Sequence, residues 1–67
     1  MNVDDVEQIA NITHAALLEV GRPDLAFLVS WSQDDDGSWY LEPLDDVADA
    51  DLKLMLRAEQ VALASRR

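Results

Sequence analysis

The stretch from residue 30 to residue 41, SWSQDDDGSWYL, places an Asp-rich turn that ends in Gly37 between two short apolar runs. Apolar and polar residues alternate on each side of the turn, and this period of two is typical of strands with one buried face. Asp and Gly are residues that tight turns between strands favour. We therefore predict a β-hairpin with strands over residues 25–32 and 38–42 and a loop of roughly three to five residues.

The register of this hairpin is predicted from its two tryptophans. If Ser32 lies opposite Ser38, then Trp31 faces Trp39 on one apolar surface. Cross-strand aromatic pairs of this kind contribute about 0.2–1 kcal/mol each. A shift by one residue would move the apolar side chains to the other face, so we favour the register that pairs Trp31 with Trp39.

Upstream of the hairpin, the sequence predicts an α-helix over residues 3–20. Its apolar residues recur at steps of three and four, the period of one helix face, and acids in its first turn complement the helix dipole. Asn2 is a good N-cap. Gly21 can adopt the left-handed conformation just after the helix, and Pro23 cannot continue it. These residues predict both ends of the helix.

Downstream of the hairpin, Pro43 ends the second strand, and we predict a second helix over residues 46–65 with Asp45 or Asp46 as its N-cap. This helix is apolar over about twice the arc of roughly 100° that one contact surface requires. Its apolar residues form two stripes on nearly opposite sides, one with Val47, Ala50, Leu54, Ala58 and Val61, the other with Leu52, Leu56 and Leu63, and Met55 and Ala62 lie between them. The width of this apolar surface indicates burial on two sides.

The predicted order α-β-β-α is an α+β fold, in which a two-stranded antiparallel hairpin packs with two helices in a single domain spanning residues 1–67. A core this small barely offsets the conformational entropy lost on folding, and small folds commonly add disulfides, a metal or a second subunit. The sequence has no cysteine, which excludes disulfides and every thiolate metal site. Association is the option that remains.

We therefore predict a homodimer or partner interface formed by Leu52, Leu56, Leu63 and Met55. The alternative is that the second helix is central, and that the first helix and the hairpin cover both of its apolar stripes within one chain.

The charge of the chain indicates the class of its partners. Fourteen Asp and Glu residues against five Lys and Arg residues give a formal net charge of −9. Nucleic acids and anionic membranes are poor partners for such a surface, because binding to them requires basic residues that displace counterions. A protein partner with a basic surface is the class that this charge favours.

Three adjacent turn carboxylates, Asp34, Asp35 and Asp36, are the leading candidates for partner binding, together with Asp4 and Glu7 near the start of the first helix. Adjacent like charges cost stability, and we expect no capping role for these three Asp residues. Such an array can imitate the phosphates of nucleic acid or dock on a basic surface. The alternative is a solvated surface that keeps a small protein soluble, and the sequence leaves both open.

Patterns for catalysis and metal binding are weak. His14 has no Cys or second His with which to bind a metal, and no motif links it to a serine nucleophile, so we expect a solvated histidine on the helix surface. An EF-hand calcium loop starting at Ser32 matches at Asp34, Asp36 and Gly37 but has Pro43 where the bidentate Glu belongs. We therefore expect neither an enzyme nor a cofactor or metal site.

The chain also carries no basic and apolar signal region and no apolar run of the roughly 18 residues that span a bilayer, so we expect a cytoplasmic protein. The excess of Asp over Glu and of Arg over Lys is typical of GC-rich bacterial or phage genomes.

Two functional hypotheses follow from these features. The first is a non-enzymatic acidic interaction module, such as an inhibitor or immunity-like factor, that mimics nucleic acid and binds a basic surface of its partner. The second is a structural or adaptor module that self-assembles through the leucine stripe, with the acidity serving solubility alone. Added salt should weaken the first kind of contact steeply and the second kind little.

Overall fold

A computed structural model describes residues 3–65 and shows an α+β domain in which two long helices pack on a two-stranded antiparallel hairpin. The predicted N-cap, Asn2, lies outside the described residues. In chain order the elements are α1 (Val3–Glu19), α2 (Pro23–Ala26), β1 (Trp31–Gln33), β2 (Trp39–Leu41) and α3 (Asp49–Ser65). No helix within residues 3–65 combines the length and the apolar character that crossing a membrane requires.

Helix α1 ends as the sequence predicts. Gly21 has a φ of +81°, and its N–H donates to the carbonyl of Leu18 at 3.0 Å. The N–H of Arg22 donates to the carbonyl of Leu17, also at 3.0 Å. These two hydrogen bonds form the Schellman arrangement, which satisfies carbonyls that the end of a helix would otherwise leave without partners.

The strand predicted over residues 25–32 is wrong at residues 25–30, because residues Pro23–Ala26 form the short helix α2 and residues 27–30 lie outside any strand. Proline at the first helical position has the φ that a helix needs, and Asp24 in the first turn complements the helix dipole. Leu25 and Ala26 are thereby buried in the core, at 1% and 3% exposure. Strand β1 begins only at Trp31.

The hairpin is antiparallel, but its register differs by two residues from the predicted one. Trp31 lies opposite Leu41, and Gln33 lies opposite Trp39. A shift by an even number of residues keeps each side chain on its predicted face, although the two tryptophans do not face each other. The cause is the loop, which spans only the three residues between Asp34 and Ser38, where the predicted pairing required five.

Helix α3 begins at Asp49, three residues later than predicted. The N–H of Leu52 donates to the carbonyl of Ala48 at 2.9 Å, so Asp45 and Asp46 lie before the helix and do not cap it. Val47 instead packs against the core from a non-helical segment. The chain before it continues the hairpin pairing, since the N–H of Leu44 donates to the carbonyl of Leu28 at 2.8 Å.

The core lies between α1 and α3 and is closed by α2. Helix α3 contributes Met55 and Ala62, which lie between its two apolar stripes, and Ala58 from the first stripe. The buried residues on the two long helices are Val6, Ile9, Thr13 and Leu17 on α1 and Met55, Ala58 and Ala62 on α3. Met55 is 0% exposed within the single chain, so its assignment to an interface is wrong. It fills the core because it lies on the one side of α3 that faces α1.

Candidate functional site

The acidic turn is built around Asp34, whose side chain has a structural role that the sequence did not predict. Its Oδ1 accepts hydrogen bonds from the backbone N–H groups of Asp36 at 2.9 Å and Ser38 at 3.0 Å. The expectation that none of the three carboxylates caps anything is therefore wrong for Asp34. A carboxylate that accepts two backbone N–H groups in this way stabilises the turn from inside.

Gly37 closes the turn in a conformation that suits glycine. Its φ is +84°, and its N–H donates to the carbonyl of Asp34 at 3.0 Å. Its own carbonyl accepts a hydrogen bond from Nε2 of Gln33, also at 3.0 Å. A turn followed by a left-handed glycine is a common three-residue hairpin connection. Side-chain and backbone hydrogen bonds therefore fix the shape of the loop.

Asp35 and Asp36 occupy the two central positions of this turn and are exposed. Neither carboxylate makes a hydrogen bond or an ion pair with any residue in the range 3–65. Asp34 accepts hydrogen bonds from the backbone of the turn, whereas the carboxylates of Asp35 and Asp36 are exposed to solvent. We call Asp35 and Asp36, with the turn that carries them, the acidic tip.

The remaining acids differ in what they contact. Arg22 binds two of them, with 3.0 Å from its Nη2 to Asp24 Oδ2 and 3.1 Å from its Nη1 to Asp51 Oδ1. The hydrogen bond from Arg22 is the main cause that lowers the pKa of Asp24. Asp4 and Glu7, the other predicted contact residues, are exposed on the first two turns of α1.

The predicted leucine surface is present in part. Leu56 and Leu63 are 41% and 39% exposed, while Leu52 is half-buried. Glu59 follows Leu56 by three residues and precedes Leu63 by four, so it lies on the same side of α3. Burial raises the pKa of its carboxyl above the ordinary range. A short apolar surface thus remains uncovered on this side of α3.

His14 is not the solvated residue that the sequence predicts. Its Nδ1 lies 3.1 Å from the carbonyl oxygen of Ala26, to which it donates, and its ring packs edge-on against Phe27 with 5.4 Å between ring centroids. The residue therefore joins α1 to the end of α2. The sequence analysis missed this role because it did not predict α2, whose last residue, Ala26, provides the carbonyl that His14 contacts.

The described residues show no arrangement typical of a nucleophile or a metal ligand set. The hydroxyl of Ser32 donates to Glu42, and His14 contacts a backbone carbonyl and an aromatic ring. Within residues 3–65, no three His, Asp or Glu side chains come together as a metal site requires. The exposed carboxylates of the acidic tip can accept hydrogen bonds and attract cationic groups.

Comparisons of the chain with protein-family models, curated proteins and solved structures found no match. Function is therefore inferred from the geometry and charge of this chain's own residues.

Proposed function

We propose that this chain is a non-enzymatic binding module that docks the acidic tip on a basic surface of a partner protein. The observation that supports the proposal is the contrast within the turn. Asp34 orders the backbone through two hydrogen bonds, whereas the exposed carboxylates of Asp35 and Asp36 have no cation or donor within residues 3–65. Holding two adjacent charges in a fixed loop lowers the entropy lost when a partner binds them.

The net charge of −9 supports the same proposal at longer range. A strongly acidic protein attracts a basic partner and speeds the encounter, and the effect falls as salt rises. Exposed Asp4 and Glu7 on α1 add to this field. Carboxylates held on a fixed loop can stand where a nucleic acid presents phosphates, so an inhibitor of a nucleic-acid-binding protein is the form of the proposal that we favour.

A capture experiment with two matched variants tests the proposal. The native chain, D35N/D36N and D45N/D46N are immobilised separately, exposed to lysate and washed in low salt, and the retained proteins are quantified. Both double variants remove two charges, but Asp45 and Asp46 lie before α3 and not in the hairpin turn. We expect D35N/D36N to lose a basic protein that the native chain and D45N/D46N retain, and added DNA to displace it.

Equal losses from the two variants would mean that only net charge attracts the retained proteins, and the tip would have no special role. Retention that persists in high salt and in D35N/D36N would also contradict the proposal, because screening should remove a contact made by exposed charges.

A second function, self-assembly through α3, is favoured by the exposure of Leu56 and Leu63. In this proposal the two leucines of one copy contact those of another across a two-fold axis, and the acidity serves solubility. Sedimentation equilibrium tests it. A dimer that L56S/L63S converts to a monomer, without a change in circular dichroism, would support it, whereas a native chain that stays monomeric at high concentration would exclude it.

A further inference from the structure

The C-terminal half of α1, Val20 just after it and the middle of α3 leave an apolar groove on the flank of α3 opposite Leu56. Its lining comes from Leu17 and Val20 on one side and from Leu54, Ala58 and Val61 on the other, around a volume of about 100 Å³. Val20 is 57% exposed and Val61 is 49% exposed. This volume is well below the roughly 300–1,000 Å³ of small-molecule pockets, but it can admit an apolar side chain from a protein segment.

The edge of this groove is basic, although the protein is strongly acidic. Arg57 lines the groove, and Lys53, one turn earlier on α3, lines an adjoining depression together with Arg57 and Leu54. Within residues 3–65, neither Lys53 nor Arg57 makes an ion pair or a hydrogen bond through its side chain, whereas Arg22 is bound by two carboxylates. Both unpaired cations of the described chain therefore lie beside the same apolar surface.

We propose that this groove binds an acidic amphipathic helix of another protein, with apolar side chains against Val20 and Val61 and carboxylates against Lys53 and Arg57. A basic or neutral occupant would leave both cations covered but unpaired, which is unfavourable. Lys53 and Arg57 are four residues apart on one helix face, and acids four residues apart on a docked helix match that spacing. The contact is short-range, because salt screens the remaining negative charge of the protein within about 8 Å.

Two synthetic helical peptides test this inference. Each contains two leucines four residues apart in an alanine background; one carries glutamates beside the leucines, and the other carries lysines at the same positions. General attraction to a protein of charge −9 would favour the lysine peptide, so the local groove and the overall charge predict opposite results. Binding is measured by fluorescence anisotropy, and the site by chemical-shift changes of the Val20 and Val61 methyl groups.

We expect the glutamate peptide to bind roughly fivefold or more tightly than the lysine peptide. K53Q/R57Q should abolish this preference. Q8E/A15E, which lowers the net charge by the same two units at exposed positions of α1, should keep it. Circular dichroism checks that each variant is folded. Tighter binding of the lysine peptide, or shifts away from Val20 and Val61, would overturn the inference.

The oligomeric state of the native chain tests whether the groove binds another protein or a second copy of this chain. If sedimentation shows a dimer of the native chain that K53Q/R57Q dissociates, the groove is filled by a second copy and the proposed hetero-partner is wrong. A negative result for the groove says nothing about the acidic tip, and a negative result for the acidic tip says nothing about the groove, because the two surfaces share no residue.

Discussion

Nη1 of Arg22 lies 3.1 Å from Oδ1 of Asp51, and this contact joins the segment after α1 to the first turn of α3 across 29 residues of sequence. The same guanidinium holds both oxygens of Asp24, through Nε at 3.2 Å and Nη2 at 3.0 Å. Arg22 therefore fixes the start of α2 and the start of α3 relative to each other.

Loss of this cation should destabilise the fold in a pH-dependent way. Because the pKa of Asp24 is lower in the folded chain than its ordinary value of 3.8, its pairing with Arg22 stabilises the fold above that pH, and the stabilisation disappears as the pH falls through the folded pKa. We predict a lower Tm for R22Q at pH 7 and a difference from the native chain that shrinks in acid. Thermal unfolding followed by circular dichroism measures both.

The interaction with Asp51 can be tested on its own by comparing D51N with D49N. Both positions are acids in the first turn of α3, but only Asp51 contacts Arg22. D51N should lower the Tm more than D49N does. Equal effects would indicate that both act through the helix dipole alone.

Gly37 is predicted to be required for the shape of the acidic tip. With a φ of +84°, the residue lies in the left-handed region, where a Cβ costs about 1–2 kcal/mol. G37A should therefore reduce the free energy of unfolding by about 1 kcal/mol in urea titrations, and G37N by less, since Asn tolerates this conformation. An alanine variant as stable as the native chain would show that the turn adopts another conformation.

The assignment of Met55 to the core can be tested against its neighbour. M55A removes a side chain that is 0% exposed and should cost about 2–5 kcal/mol, whereas L56A alters a residue that is 41% exposed and should cost less than about 1 kcal/mol. Urea denaturation of both variants measures the difference. A larger effect at Leu56 would mean that α3 presents its other side to the core.

Two local signals for the ends of elements, both of them glycines, agree with the structure. Gly21 ends α1 with the two hydrogen bonds expected of a left-handed glycine, and Gly37 lies in the hairpin turn. The late start of α3 could not be read from Asp45 and Asp46, because both are good N-caps in isolation. Val47 packs against the core from the segment before the helix, and such a tertiary contact cannot be predicted from the capping residues alone.

The errors at the candidate site also arise where tertiary structure overrides a local sequence signal. An alternating pattern over residues 25–32 resembles a strand, but Pro23 and Asp24 start a short helix there, and α2 in turn provides the carbonyl that His14 contacts. The structural role of Asp34 depends on the three-residue loop, which the predicted register missed. The position of Met55 between two apolar stripes was clear from periodicity, but which strip faces α1 depends on packing.

Glu59 should make stability depend on pH in the direction opposite to Asp24. Burial raises the pKa of its carboxyl, so the folded chain binds this proton more tightly than the unfolded chain does, and stability falls as the pH rises through the folded pKa. E59Q, which is always neutral, should therefore raise the Tm at pH 7 and leave it nearly unchanged near pH 3. A variant that lowers the Tm at neutral pH would show that the charged form of Glu59 is stabilised by a contact.

The salt dependence of partner affinity is the most direct test of the acidic tip. With a purified partner from the capture experiment, Kd is measured for the native chain, D35N/D36N and D45N/D46N over a series of salt concentrations. We predict that D35N/D36N weakens binding by roughly tenfold at low salt, about 1.4 kcal/mol, and flattens the dependence on salt, while D45N/D46N changes both much less. Identical affinities and slopes for the two variants would contradict the role proposed for Asp35 and Asp36.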